Sequence, residues 1–368
     1  MKELSIYVHI PFCKQKCKYC DFCSFCASAK EQKEYFLRLE KEIIEKAKKF
    51  KFYRVKSIYF GGGTPSSVDE KYVIKILKVI YNNYNIEKDA ENTIECNPCS
   101  VSEGKLLSYK KAGFNRVSFG VQSFNDKVLF SSGRLHDRKT AEDAILLAKK
   151  VGFQKISADL IIGLPFQTQN QVLRDIKKLD RLGLKHISLY MLQLEKGTLL
   201  YNEVVNGKTK ILDGDKQVEI YEKAVNLLSK LGFVQYEVSN FAKDEQYSNH
   251  NLAYWRRKEY IGFGLAAHSF LDGKRRANSK NINDYFNGKG RVIEKLSKKD
   301  VATEIIMLGL RYFEGFSLAE LKKYGKDLKS EKEFENLKNQ GVLIVDGDNV
   351  KLNPKFYCVN NEVILKLI

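Results

Sequence analysis

Along the first two thirds of the chain, short runs dense in apolar and β-branched residues alternate with longer stretches whose apolar side chains recur every three or four positions. The short runs at Leu4–Ile10, Ser57–Phe60, Thr93–Cys96, Arg116–Gly120, Lys155–Ile162 and His186–Leu192 read as strands, and Tyr236–Asn240 as a weaker seventh. The periodic stretches Glu31–Lys49, Lys71–Tyr81, Glu103–Ala112, Lys139–Val151, Gln169–Leu182 and Asp215–Leu231 read as helices, with Ile74, Leu77, Val79 and Ile80 as one apolar stripe. Strands separated by helices need crossover connections, which are right-handed and make the sheet parallel. Six or seven such units predict an α/β fold, a partial or closed (β/α) barrel. Its ligands should gather where the β–α loops leave the C-terminal ends of the strands.

From about Leu296 the rhythm changes. Helical stretches at Asp300–Arg311, Ser317–Tyr324 and Glu331–Asn339 precede short strands at Val342–Val345 and Val350–Leu352, joined by the turn Asp346-Gly347-Asp348. That order predicts a small winged-helix-like α+β domain. The expected organisation is a barrel over residues 1–240, a connecting segment over 241–295 and the C-terminal domain over 296–368.

Composition narrows the setting. No apolar run approaches the roughly 18–20 residues that span a bilayer. Met1–Ile10 lacks the charged, apolar and small-residue regions of a signal peptide, so a cytoplasmic location is expected, with the chain opening on its first strand. Sixty-three Lys and Arg against 45 Asp and Glu leave a net charge of +18. Such a field suits nucleic acid, an anionic membrane surface or an anionic small molecule. Most of the lysines, however, lie in Lys/Glu-rich helical stretches that read as solvated faces. No basic-aromatic recognition motif accompanies them, so nucleic acid is not expected as a partner.

Eight cysteines are present, and five of them fall within Cys13–Cys26. Crowding of that kind in a cytoplasmic chain reads as metal ligation rather than disulfides. Directly after the first strand comes Tyr7-Val8-His9-Ile10-Pro11-Phe12-Cys13-Lys14-Gln15-Lys16-Cys17-Lys18-Tyr19-Cys20, which contains C-x3-C-x2-C. Three thiolates on one loop can hold three irons of a [4Fe–4S] cubane and leave the fourth open to an external ligand. Cys13, Cys17, Cys20 and Cys23 could instead form a tetrahedral zinc site, although the spacing is tighter than in paired zinc knuckles. Cys23 and Cys26 read as spare thiols, and Cys96 and Cys99 as packing residues.

C-x3-C-x2-C with an aromatic before the last cysteine, here Tyr19, resembles the radical S-adenosylmethionine superfamily. The longer string through Asp21 and Phe22 is similar to the group holding oxygen-independent coproporphyrinogen III dehydrogenases and haem chaperones, over nearly the whole chain. Other loops follow suit. Gly61-Gly62-Gly63-Thr64-Pro65-Ser66 lets backbone N–H groups approach a ligand closely. Glu95 ends the third strand, where a carboxylate can accept hydrogen bonds from an ammonium or a ribose. The resemblance implies that Tyr7, Gly62 and Glu95 hold S-adenosylmethionine beside the cluster. It implies a second such site at Tyr19, Gly63, Thr64, Gln122, Arg134 and Asp159; an Arg134–Asp159 ion pair that merely stiffens the barrel mouth is the competing account.

His250-Asn251-Leu252-Ala253-Tyr254-Trp255 is similar to a motif of the haem chaperones and makes His250 a candidate haem ligand, the other reading being a buried histidine with aromatic packing; His268 in Gly262–Ser269 is a secondary candidate. Neutral imidazole suits axial ligation, and the two aromatics could stack on a macrocycle. The resemblance therefore implies a chaperone that binds haem and delivers it to an acceptor protein, with an electron donor for the cluster. Surface contact with a membrane and homodimerisation stay open. The alternative is a coproporphyrinogen dehydrogenase. Phe22 stands where that enzyme's fourth cysteine would be, and no segment precedes the first strand to cover a substrate. An RNA-modifying radical enzyme, suggested by charge and by the winged-helix-like tail, lacks a recognisable RNA motif.

Overall fold

The computed structural model describes residues 1–368. Six β–α units open the chain: β1 (Lys2–Ile10), α1 (Ala29–Ala47), β2 (Tyr53–Gly62), α2 (Glu70–Asn83), β3 (Ile86–Cys96), α3 (Glu103–Ala112), β4 (Arg116–Gln122), α4 (Asp126–Ser131), α5 (Arg138–Lys150), β5 (Lys155–Ile162), α6 (Gln169–Arg181) and β6 (His186–Met191). After α7 (Leu199–Val205) and α8 (Gly214–Lys230) come two short strands, β7 (Val234–Gln235) and β8 (Asn240–Ala242). Then α9 (Asn249–Trp255), β9 (Tyr260–Phe263), β10 (His268–Leu271), β11 (Lys274–Ala277), α10 (Ile282–Phe286) and β12 (Val292–Lys295) complete the first part.

Strands β1 to β6 pair in parallel in sequence order. The sheet has 12 strands and two free edges, β12 and β7, so the barrel is partial rather than closed. Alternation along each strand explains its two faces. Leu4, Ile6, Val8 and Ile10 of β1, like Ile58 and Phe60 of β2, point outward into a core of 57 buried residues shared with α1, α2, α3, α5, α6 and α8. Burying such a side chain is worth about 1.5–3 kcal/mol. Their neighbours point into the concave face, where register sets Tyr7 beside Tyr59 and Thr93, and Ser5 beside Ser57 and Glu91. The concave face is polar, which is what a ligand-binding mouth requires.

Two expectations change. Tyr236–Asn240 is no seventh parallel strand: it is mostly the turn between β7 and β8, and β8 runs antiparallel to β6. Tyr236 turns inward, and its hydroxyl meets His186 Nε2 at 2.7 Å. Residues 241–295 do more than connect. Strand β9 pairs in parallel with β1, and β10 to β12 extend the same sheet as an antiparallel meander.

The C-terminal part contains α11 (Lys298–Gly309), β13 (Phe316–Ser317), α12 (Leu318–Lys323), α13 (Lys332–Asn339), β14 (Leu343–Asp346), β15 (Asn349–Leu352) and α14 (Asn360–Leu367). Three helices followed by a hairpin match the winged-helix-like reading, with β13 added as a third strand. A separate core of 19 buried residues holds this unit, and Val363, Ile364 and Leu367 of α14 belong to it. Backbone bonds from Val238 to the Arg311 carbonyl (2.9 Å) and from Phe313 to the Tyr236 carbonyl (3.0 Å) fasten it to the sheet. No helix is long and apolar enough to cross a membrane.

Candidate functional site

The cysteine loop leaves the C-terminal end of β1 and is pinned at both ends. Phe12 is buried edge-on against Phe25 and Tyr35. Phe25 N–H donates to the Pro11 carbonyl (2.8 Å) and Cys13 N–H to the Phe25 carbonyl (3.0 Å). On the far flank, Lys18 N–H bonds to the Ser132 carbonyl, and Leu200 N–H to that of Lys18. Cys13, Cys17 and Cys20 are thus held half-buried at the barrel mouth.

Burial pushes the Cys13 and Cys20 thiols up from their ordinary values. Ligation needs thiolates, so nearby cations matter. Arg134 Nη1 donates to Cys17 Sγ at 3.3 Å, and Lys16 works against the rise at Cys20. The three sulfurs do not converge into a ready metal site. The fit to an iron–sulfur cluster therefore rests on the donor set, three thiols on one pinned loop with cations about them.

Beside the loop lies a cavity of about 570 Å³ lined by Tyr7, His9, Cys23, Gly62 and Glu95 among others. The structure thus brings together Tyr7, Gly62 and Glu95, as expected. Glu95 accepts from Tyr59 Oη (2.7 Å) and from Gly62 N–H (3.3 Å). Burial, with the nearby Asp159 charge adding to it, raises the Glu95 carboxyl to about 7. An ammonium placed there would restore the carboxylate. Cys96 and Cys99 stay out of the site: Cys96 sits in the core, and Cys99 Sγ bonds to Asn97 Oδ1 at 3.3 Å.

The glycines act differently from expectation. Gly63 N–H bonds to the Ile10 carbonyl and Thr64 N–H to the Phe12 carbonyl, both at 2.8 Å, so neither is free for a ligand. What the segment provides is closeness. A Cβ on Gly63 would meet backbone atoms of Ile10 and Phe12 at 2.9 Å, and one on Gly62, at φ +110, would collide with the His9 ring.

Across the cysteine loop, Gln122 ends β4, Arg134 lies in the loop after α4, and Asp159 sits within β5, paired with Gly120. Arg134 forms no ion pair with Asp159. Its Nη2 donates to the Gly120 carbonyl at 2.5 Å while Nη1 reaches Cys17. Asp159 instead meets Ser118 Oγ at 3.4 Å, and burial raises it to about 6. Gln122 Oε1, Arg134 Nε and Thr93 Oγ1 are buried without partners. Orphaned polar atoms at a mouth are what a polar ligand such as S-adenosylmethionine would satisfy.

His250, the candidate haem ligand, is enclosed in the ligand-free chain. Its ring is 1% exposed. Nδ1 lies 2.8 Å from Ser57 Oγ and Nε2 2.9 Å from Tyr254 Oη, and the ring stacks on Tyr59 at 4.9 Å. Burial lowers it to about 3, so it is a neutral group whose two nitrogens are both engaged inside the sheet. In this arrangement it supports Tyr59 and Tyr7 from behind. Sequence reasoning also missed His9, whose ring links Tyr7 Oη (3.1 Å) to the Cys23 carbonyl (2.9 Å), and Tyr59. The even spacing of Ser5, Tyr7 and His9 on β1 was the available signal.

Comparison with known proteins supplies the family. A model of the radical SAM superfamily matches residues 7–179, and one of the HemN C-terminal domain matches 296–355. The chain is 34% identical to the heme chaperone HemW of Bacillus subtilis, covering 98% of this chain and 97% of that one. It is 33% identical to the heme chaperone HemW of Lactococcus lactis, covering 100% and 98%. Among solved structures, the Escherichia coli coproporphyrinogen III oxidase HemN superposes with a TM-score of 0.85 at 22% identity, covering 100% of this chain and 90% of that one.

Proposed function

This chain belongs to the HemW family of the radical S-adenosylmethionine superfamily, and from that premise we propose that it is a haem chaperone: it binds haem and passes it to an acceptor protein. The superfamily implies a [4Fe–4S] cluster and S-adenosylmethionine. Cys13, Cys17 and Cys20 would hold the cluster, which supplies one-electron chemistry to whatever ligand occupies its open iron. Tyr7, Gly62 and Glu95 would grip the S-adenosylmethionine. Arg134 places a positive charge beside the cluster sulfurs, while Tyr19, Gly63, Thr64, Gln122 and Asp159 shape the rest of the mouth. An electron donor and a haem acceptor are the partners this reading requires, and nucleic acid has no part in it.

The observation that carries the proposal is full-length similarity to HemW relatives at about a third identity. The dehydrogenase reading draws on the HemN superposition, which at 22% identity speaks for the fold. Against it, Phe22 stands in place of a fourth cysteine and is 61% exposed beside the cavity. Two anaerobic assays separate the readings. Ferric haem added to pure protein should give a saturable Soret band, and coproporphyrinogen III with S-adenosylmethionine and reductant should give no vinyl product. Turnover to vinyl product would overturn the chaperone reading.

A further inference from the structure

Among the five histidines of the chain, one alone offers a ring nitrogen to the outside. His9 bonds through both nitrogens to Tyr7 and the Cys23 carbonyl. His136 is buried between Arg134 and the Val121 carbonyl, and His186 is buried on Tyr236. His250 is held by Ser57 and Tyr254. His268, at the start of β10, is exposed, and its side chain makes no hydrogen bond.

His268 opens into a second cavity, of about 360 Å³, lined also by Tyr254, Tyr260, Arg257, Lys258 and Arg275. No carboxylate lines it. Behind it, Arg257 and Arg275 share the single carboxylate of Glu304, so one positive charge is left over, while Lys258 lies 3.8 Å from Glu3. Both guanidiniums also flank the Phe270 ring, at 4.6 and 5.4 Å from its centre. Arg257 Nη2 is buried with no partner. Holding two guanidiniums together over one acid is unfavourable unless an anion joins them. Tyr7, His9 and Ala266 line this cavity and the one at the barrel mouth, so the two meet.

We propose that this cleft is the tetrapyrrole site, with His268 as the iron ligand, the Arg257, Lys258 and Arg275 cations receiving the carboxylates, and Tyr254 and Tyr260 contacting the macrocycle. The inference rests on the haem-chaperone reading and gives it a place. Strand register pairs His268 with Ala277 and Phe270 with Arg275, which sets His268 and Arg275 diagonally on one face. Burial, with Lys280 and Arg275 adding to it, holds the His268 imidazole below its ordinary range, so it is neutral and available at pH 7. The shared wall at Tyr7 and Ala266 would bring the macrocycle's edge next to the cavity that Glu95 lines.

The test uses the full chain and ferric haem, read by the Soret band and by the electron paramagnetic resonance of the iron. His268→Ala should weaken binding at least tenfold and change the iron signal. His268→Met should restore binding with a thioether-type spectrum, a result a merely structural role would not produce. Haem dimethyl ester, which lacks carboxylates, should bind the wild type poorly and discriminate little between wild type and Arg275→Gln. If wild type and His268→Ala bind haem with the same affinity and signal, this site is overturned while the chaperone reading stands. If the wild type gives no saturable haem binding, the reading beneath the proposal fails and the site falls with it.

Discussion

Gly63→Ala tests the contact on which the barrel mouth is built. The added methyl would meet the Ile10 carbonyl oxygen and the Phe12 nitrogen and oxygen, all at 2.9 Å. These are backbone atoms at the root of the cysteine loop, so no side chain can swing away. Gly63 lies outside the left-handed region, and the cost is therefore crowding rather than backbone strain. Overpacking of this kind costs about 1–3 kcal/mol. Pushing the strands apart also weakens the Gly63–Ile10 and Thr64–Phe12 hydrogen bonds, each worth about 0.5–1.5 kcal/mol. A loss of about 2–6 kcal/mol follows if neither effect relaxes. Gly104→Ala is the control: nothing lies within 4 Å of its new methyl in α3, so it should stabilise by about 0.4–1 kcal/mol. Urea unfolding of the metal-free chain measures both. Iron and sulfide content after anaerobic reconstitution then reads the loop, and should fall for Gly63→Ala alone. A Gly63→Ala protein within 0.5 kcal/mol of wild type, or one that takes up its full complement of iron, would refute the reasoning, the threshold being the usual scatter of surface substitutions.

Glu95, raised to about 7 from 4.5, binds its proton in the folded chain and has lost it in the unfolded chain between those values. Its contribution to stability is therefore full below about 4.5 and lost as pH rises through about 7. Glu95→Gln should accordingly make the ligand-free chain more stable than wild type at pH 8 and leave it unchanged near pH 4.5, while S-adenosylmethionine binding measured by calorimetry weakens. A gain equal at both pH values would contradict the assigned cause. His250→Ala empties a buried site and removes the ring partner of Tyr254 Oη, while Ser57 keeps its bond to Ser5. It should cost about 2–4 kcal/mol in thermal unfolding yet leave the magnetic resonance signal of bound haem iron unchanged, and a changed axial signal would return the ligand role to it. Arg134→Gln removes the cation touching Cys17 and should shift the cluster's potential downward in an anaerobic redox titration. An unmoved potential would show that this contact is absent in the cluster-bound protein.

The β/α alternation was legible because each unit carries its own pattern: an apolar strand long enough to cross the core, then an amphipathic helix such as α2. Strands β9 to β12 were not. They are four residues each, and Lys274-Arg275-Arg276-Ala277 has no apolar face; it is a strand because β10 and β12 supply its partners. Tyr236–Asn240 has strand composition, but Tyr236 spends its ring on His186 and the chain turns there. Gly62, Glu95 and the cysteines lie at or just beyond strand ends, where position points to them, whereas Tyr7, inside β1, entered only through the family resemblance. Hydrogen-bond direction could not. Whether Arg134 reaches Asp159 or Cys17, and whether His250 faces inward or outward, depends on the pitch of β4 and α9 relative to β2, which residue spacing does not encode.

Three thiols at this mouth would leave one iron of the cluster for a small molecule to occupy. Electron paramagnetic resonance of the reduced, anaerobically reconstituted protein, with and without S-adenosylmethionine, addresses it most directly. The reduced protein should show a [4Fe–4S] signal whose g-values move on addition of S-adenosylmethionine, and which disappears in Cys17→Ala. A signal that persists in that variant, or one that the added molecule leaves in place, would contradict that arrangement.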